Sequence, residues 1–280
     1  MSDKSDPLVP RPASTVMLLR DQGSAESLEV FLMRRHSAMD FVAGVMVFPG
    51  GGVDERDRGT GIAWYGPEPS WWAERMNVDV DLAEALVCAA ARETFEESGV
   101  LFAGAADDSD VLVDDASIYR EQRAALANNS LSFADFLRDE QLVLRADLLR
   151  PWANWVTPVE ERTRRYDTYF FAGALPAGQR ADGENTESDR AFWSSPQAAL
   201  DEFAEGQSFL LPPTWSQLDS LNGRTVAEVL ATERTITPMM PTLSADAAGG
   251  DWNIDFFDGV RYNEARNRRA PGGQQGAPST

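Results

Sequence analysis

The sequence predicts an α/β domain in which two groups of strands bracket one long helix. Three observations carry this. Apolar, β-branched runs at 13–20 and 28–34 are joined by a polar turn, an Ala- and Leu-rich helical pattern fills 81–98, and strand-like runs return between 154 and 193. With 280 residues, 43% of them apolar, the chain can bury one substantial core. The expected organisation is a flexible N-terminus over 1–12, one domain over 13–263, and a disordered Pro/Gly/Gln-rich tail over 264–280.

In chain order, "ASTVMLLR" and "LEVFLMR" with "DQGSAES" between them read as a β-hairpin, and "VMVFPGGG" (45–52) as a strand running into a Pro-Gly turn. Residues 53–80 read as a loop-like insertion holding Trp64, Trp71 and Trp72. The helix over 81–98 follows, with Asp81 as N-cap, Glu84 at the third helical position as in a capping box, and Gly99 as a left-handed stop. Region 104–150 reads as helical, over 116–127 and 132–148, after an acidic linker. Strands are expected at "NWVTP", "DTYFFAG" and "RAFW". Helices are expected at "SPQAALDEFAEG", capped by Ser195, and at "PTWSQLDSLNG".

The rare residues and the charge exclude several chemistries. One cysteine, Cys88, forms no intramolecular disulfide; with one histidine, His36, a Cys/His zinc site lacks its ligands, and a catalytic triad would have to use His36, which reads as a surface or loop residue. A net charge of −20 argues against a general nucleic-acid or anionic-membrane binder, because such binding rests on clustered Lys and Arg. No apolar run approaches the roughly 18 residues of a membrane span, and the N-terminus lacks a secretory apolar segment, so a cytoplasmic protein is expected.

At about 100° per residue, Leu82, Leu86, Ala89 and Ala90 share an arc with Glu93, Glu96 and Glu97, so the glutamates extend the buried stripe. Three carboxylates brought together and partly dehydrated require a compensating cation. A divalent metal supplies it, and all-oxygen ligation selects Mg²⁺ or Mn²⁺. An isolated "REXXEE" string also fits a solvated acidic helix end paired with Arg92.

The wider pattern decides between those readings. The glycine turn, Glu84 eight residues before Arg92, and "RETFEESGV" together resemble the box G-x5-E-x7-R-E-U-x-E-E-x-G-U of the Nudix family, at Glu84, Arg92, Glu93, Glu96, Glu97, Gly99 and Val100. Thr94 replaces the usual aliphatic residue, and about thirty residues separate the box glycine, Gly51 or Gly52, from Glu84. That interruption, with "FLMRRHSAMDFVAGVMVFPGGG", "YDTYFFAG" and "LPPTWSQLDSL", resembles the peroxisomal coenzyme A diphosphatase branch of the family, over roughly residues 12–235. The chain ends in Pro-Ser-Thr and not in a targeting tripeptide, so the peroxisomal location is not carried across.

The resemblance implies a Nudix α/β/α sandwich with a mixed sheet and metal-dependent hydrolysis of a nucleoside diphosphate linked to another group. Coenzyme A or acyl-CoA is the first expectation, and ADP-ribose, NADH and nucleotide sugars are the alternatives. A non-catalytic ligand-sensing or protein-binding module is the second class of reading, which the intact carboxylate set disfavours. Glu93, Glu96 and Glu97 would hold Mg²⁺ or Mn²⁺, with Arg92 orienting them. By resemblance the general base is Glu187, six residues before Trp193, with Glu160 and Glu161 as rivals. Arg34 and Arg35 resemble the arginines of a coenzyme A signature and would grip phosphate with the Gly51 turn. Trp71 and Trp72, in the insertion, would cover the distal arm of the ligand or pack the loop onto its own domain. Glu84 is open between supporting the metal site and capping its helix. A homodimer is left open.

Overall fold

A computed structural model describes residues 7–21, 28–35, 44–59, 61–108, 110–184, 188–245 and 252–268. The first part of the chain forms β1 (Arg11–Asp21), β2 (Leu28–Arg35), β3 (Val45–Val47), β4 (Gly50–Gly52), β5 (Trp64–Tyr65), α1 (Pro69–Met76), α2 (Val80–Ser98) and β6 (Ala103–Ala105). Next come α3 (Arg120–Ala127), α4 (Phe133–Asp139), β7 (Leu142–Arg145), β8 (Leu149–Val156), β9 (Tyr166–Ala174) and β10 (Ser188–Ser194). The remainder contributes α5 (Pro196–Ala204), β11 (Phe209–Leu210), α6 (Pro212–Leu221), α7 (Val226–Ala231), β12 (Pro238–Met239), β13 (Thr242–Ala245), β14 (Trp252–Asp255) and α8 (Gly259–Asn267).

Among the described residues the main sheet has nine strands, with the order β11-β3-β2-β1-β9-β8-β12, β10 pairing with β2 and β4 with β1. It is mixed: β1 runs parallel to β9 and antiparallel to β2, and β8 runs antiparallel to β9. Alternation along β1 and β2 builds a core on each face. Val16, Leu18, Phe31 and Met33 pack with α1, α2 and α4 on one side, while Met17, Leu19, Val30 and Leu32 pack with α5, α6, α7 and α8 on the other. Helices on both faces of one mixed sheet give the expected three layers. Among the described residues no helix is long and apolar enough to cross a membrane.

Several elements differ from expectation for physical reasons. The cap of α2 is Asp79, whose side chain accepts the Leu82 N–H at 2.7 Å, so Asp81 lies exposed in the first turn and Glu84 forms no capping box. Two aspartates two residues apart offered the same signal, and the chain uses the earlier one. Within 53–80, residues 69–76 form α1, opened by Pro69 and ended by Asn77 in the left-handed region. Region 104–150 is not all helical: Leu142–Arg145 pairs with β6 and β5, and this sheet pairing overrides the local helical pattern. The segment 45–52 splits at Phe48-Pro49, with β3 pairing to β2 and β4 to β1, which lifts the three glycines towards α2. Residues 264–267 of the expected tail belong to α8.

Candidate active site

The site lies where β4 meets the last two turns of α2. Backbone at β4 is bare of side chains, so the helix comes close. A Cβ on Gly51 would sit 2.6 Å from Oε1 of Glu93, and the carboxylate would have to move. The Gly50 N–H donates to Oε2 of Glu97 at 2.8 Å, which places this buried carboxylate against the turn.

Arg92 organises the other two glutamates. It is 8% exposed, and its hydrogen bonds match the five N–H groups of a guanidinium. Nε and Nη2 fork onto Oδ1 and Oδ2 of Asp57, both at 2.9 Å, and Nη2 also reaches the Gly52 carbonyl at 3.0 Å. Nη1 reaches Oε1 of Glu93 at 2.8 Å and Oε1 of Glu96 at 3.2 Å. Burial opposes the charge of Arg92, but its hydrogen bonds to Asp57 and the charges of the nearby glutamates and Asp57 outweigh it and raise its pKa above the usual range. Burial pushes the Glu93 carboxyl up to about 7 against the pull of Arg92, and burial raises Glu96 as well.

Asp57 has 1% exposure and sits on a short 3-10 turn, Glu55–Asp57, capped by Asp54. Its carboxylate also accepts the Asp54 N–H at 2.8 Å. The sequence left Glu84 between supporting the metal site and capping its helix; it forms no cap and is half-buried, and the acid that meets Arg92 is Asp57. The signal for Asp57 was present, since it stands six residues after Gly51.

The C-terminal end of α2 is held from outside. Gly99 closes the helix at φ 72°, its N–H donating to the Phe95 carbonyl at 2.9 Å. Arg123 of α3 donates from Nε to the Glu96 carbonyl at 3.0 Å, and from Nη1 and Nη2 to the two oxygens of Asp182, both at 2.9 Å. Asp182 N–H donates to the Ser98 carbonyl at 2.9 Å. A cation at a helix C-terminus faces the negative end of the dipole, and here it also lies beside an acidic turn. Any Cβ on Gly99 would meet Arg123 Nη1 at 2.8 Å. Thr94, the departure from the aliphatic position, is fully buried and satisfies its hydroxyl on the Ala90 carbonyl at 2.7 Å.

Other candidate residues fall elsewhere. Trp72 is fully buried: it packs on Phe171 and donates to the Pro67 carbonyl, so it is core and offers a ligand no surface. Trp71 stands edge-on to Trp72 with the Arg75 guanidinium 3.8 Å over its ring, which is packing of the insertion onto its own domain. Arg34 pairs with Asp189 at 2.7 Å, and Arg35 is half-buried at the end of β2, opposite Ser188. Glu161 is tied into its own loop by the Thr163 N–H and hydroxyl, both at 2.6 Å; these bonds outweigh burial and lower its pKa, which suits an anion better than a proton acceptor. Glu160 is exposed. Glu187 and His36 lie outside the described residues.

Among the described residues no three His, Cys, Asp or Glu side chains are arranged as a metal-holding group: Glu93 and Glu96 turn onto Arg92 and Glu97 onto Gly50. The donor set nevertheless suits a hard divalent cation. It is all oxygen, it is packed against a turn with no side chains, and burial leaves Glu93 short of positive charge.

Comparison with known proteins gives a consistent result. A family model described as the NUDT19 Nudix domain matches residues 67–221. The acyl-coenzyme A diphosphatase NUDT19 of Xenopus laevis is 25% identical over 238 residues, covering 74% of this chain and 63% of that protein. The human protein of the same name is 29% identical over 233 residues, covering 70% and 61%. A putative nudix hydrolase 7 from Caenorhabditis elegans is 27% identical over 200 residues, covering 69% and 55%. The chain thus spans less than two thirds of the length of these curated relatives. Among solved structures, a NUDIX hydrolase from Alicyclobacillus acidocaldarius superimposes with a TM-score of 0.63 at 24% identity, covering 81% of this chain and 98% of that one. The matched stretch 67–221 contains α2 but not Gly51 or Asp57, which the fold brings to it.

Proposed function

We propose that this chain, which belongs to the Nudix hydrolase family in its NUDT19 branch, cleaves the diphosphate of coenzyme A or of an acyl-CoA. The observation that carries the reading is the arrangement of α2 against β4. Arg92 holds Glu93 and Glu96 while the Gly50 N–H holds Glu97, on the turn where a diphosphate would lie. The names of the relatives support the choice of substrate within the family.

In this reading Glu93, Glu96 and Glu97 would hold Mg²⁺ or Mn²⁺. The bound cation would offset diphosphate charge and make a water nucleophilic near neutral pH. The residues of the chain do the rest. Arg92, fixed by Asp57, keeps the carboxylates in register; the glycine turn leaves room for the phosphates; and a carboxylate outside α2, for which Glu187 is our choice, takes the proton from the attacking water. The water oxygen would bond to one phosphorus as its bond to the bridging oxygen breaks, the bridging oxygen leaving with the other phosphorus, so that both halves depart as phosphate monoesters. Asp57 stands in for the first acid of the box, so the insertion lies between Asp57 and Arg92, and Glu84 has no part in the site. Arg35, with Arg34 if Asp189 releases it, supplies the contact to the 3′-phosphate. A cytoplasmic location is part of the same proposal.

Rates on paired substrates test this. Coenzyme A and acyl-CoA should be cleaved with higher kcat/KM than ADP-ribose, NADH or nucleotide sugars, with products identified by mass. Arg35→Ala should raise KM for coenzyme A more than for dephospho-coenzyme A. Equal losses on both would leave a general nucleoside diphosphate hydrolase.

A further inference from the structure

The acid that meets Arg92 stands on very little structure. Asp57 ends a single 3-10 turn, Glu55–Asp57, and a turn of that length has too few hydrogen bonds to hold its own geometry. Yet Asp57 is 1% exposed, and both of its oxygens must stay on the Arg92 fork. Contacts from outside the turn have to fix it.

Arg56, the neighbouring residue, makes those contacts. Its Nε donates to Oδ1 of Asp54 at 2.9 Å and its Nη2 to Oδ2 at 3.2 Å, while the Arg56 backbone N–H reaches the same Oδ1 at 2.8 Å. The guanidinium also meets the turn between α3 and α4. There Nη1 donates to the Asn129 carbonyl at 3.1 Å, and Nη2 donates to the Asn129 side-chain oxygen. Asn129 lies in the left-handed region at φ 64°, in a turn closed by its own N–H on the Leu126 carbonyl at 2.8 Å. Arg56 holds the Asp54 carboxyl down at about 2, first through the side-chain hydrogen bond.

These bonds join those of the site in one path. The Asp54 N–H donates to Oδ2 of Asp57 at 2.8 Å, Asp57 holds Arg92, and Arg92 holds Glu93 and Glu96. We propose that Arg56 is a positioning residue of the α2 site: bridging Asp54 and Asn129, it fixes Asp57, and through Asp57 and Arg92 it fixes where Glu93 and Glu96 point. The proposal rests on the reading of those glutamates as holders of a divalent cation. Arg56 acts through Asp57 and not on the substrate.

The test is calorimetric titration of the full chain with Mn²⁺ alone, read beside Tm and the steady-state rates on acyl-CoA. The Arg56 side chain is 36% exposed and Asn129 is exposed, so neither substitution opens a cavity in the core. Arg56→Ala should weaken Mn²⁺ binding about three- to tenfold and lower kcat by a similar factor, with KM within about twofold, because groups behind the ligands tune the metal without touching substrate. Asn129→Gly keeps the left-handed backbone and the carbonyl but loses the side-chain oxygen, so Mn²⁺ binding should weaken by less. Arg56→Lys keeps the charge but cannot fork, and should stay near Arg56→Ala. In an Asp57→Asn chain, Arg56→Ala should add little further loss of Mn²⁺ affinity, since the path is already broken. Mn²⁺ affinity unchanged in Arg56→Ala whatever its Tm, full recovery in Arg56→Lys, or an undiminished loss in the Asp57→Asn chain would overturn the proposal and leave the metal site standing. A wild type that binds no Mn²⁺ would remove both.

Discussion

The glutamate-bearing half of α2 is held in two unlike ways. On the β4 side the anchors come from a short stretch, Gly50 to Asp57: Gly50 meets Glu97, while Gly52 and Asp57 meet Arg92, whose five N–H groups are all used. At the C-terminal end the anchors come from α3 and from the segment after β9, and they hold backbone: Arg123 the Glu96 carbonyl, Asp182 the Ser98 carbonyl. The first arrangement fixes where the carboxylates point, and the second fixes where the helix stops. The difference teaches that the charges of the site and its frame are separate devices, which mutation can separate.

The largest expected effect removes the buried charge on the β4 side. Asp57→Ala leaves Arg92 buried and partly uncompensated, so stability should fall by about 3–5 kcal/mol and activity should fall with it. Denaturant unfolding read beside kcat checks both. Next comes Glu97→Gln, which keeps volume and helix but loses a ligand charge: kcat should drop about 10²-fold or more with little change in Tm. A large stability loss there would mean that pointing and framing are one device.

Arg123→Ala tests the frame. It removes a guanidinium that is 12% exposed and strands Asp182, so the cost should be about 1–3 kcal/mol. Because the carboxylates keep Arg92, kcat should fall less than in Glu97→Gln and KM should be near that of the wild type. Arg123→Lys should recover only part of the stability, since lysine cannot fork onto Asp182. A loss of kcat as deep as that of Glu97→Gln would give Arg123 a direct part in the chemistry.

The smallest effect concerns pH. Glu93 in the fold keeps its proton up to about 7, whereas the unfolded chain releases it near the ordinary 4.5. Between those values the folded state binds more protons, so the metal-free protein should lose stability as pH rises through that window. A cation must displace that proton, so apparent Mg²⁺ affinity should climb over the same window and level off above about 7. Calorimetric titrations from about pH 5.5 to about pH 8.5 check the direction.

The two sides also differ in how far the sequence revealed them. Glu93, Glu96 and Glu97 share a helical arc, and Gly99 marks the stop, so local periodicity and a short motif sufficed. Asp57 was half legible: it stands six residues after Gly51, the first spacing of the box, but Glu84 stands eight residues before Arg92, the second spacing, and only the fold shows which acid meets the guanidinium. Arg123 and Asp182 carry no pattern at all, because contacts across 27 and 59 residues depend on how α3 and β9 pack. Trp72 shows the reverse limit. Its place in the insertion was readable, but its burial against Phe171 was not, since a tryptophan run reads alike on a lid and in a core.

Cleavage of an acyl-CoA by the purified chain, followed by mass with and without exhaustive chelation, tests the central claim most directly. Turnover should be lost on chelation, recover on adding Mg²⁺ or Mn²⁺, and not recover in Glu97→Gln. Turnover that persists after chelation, or that returns in Glu97→Gln to the wild-type rate, would contradict it.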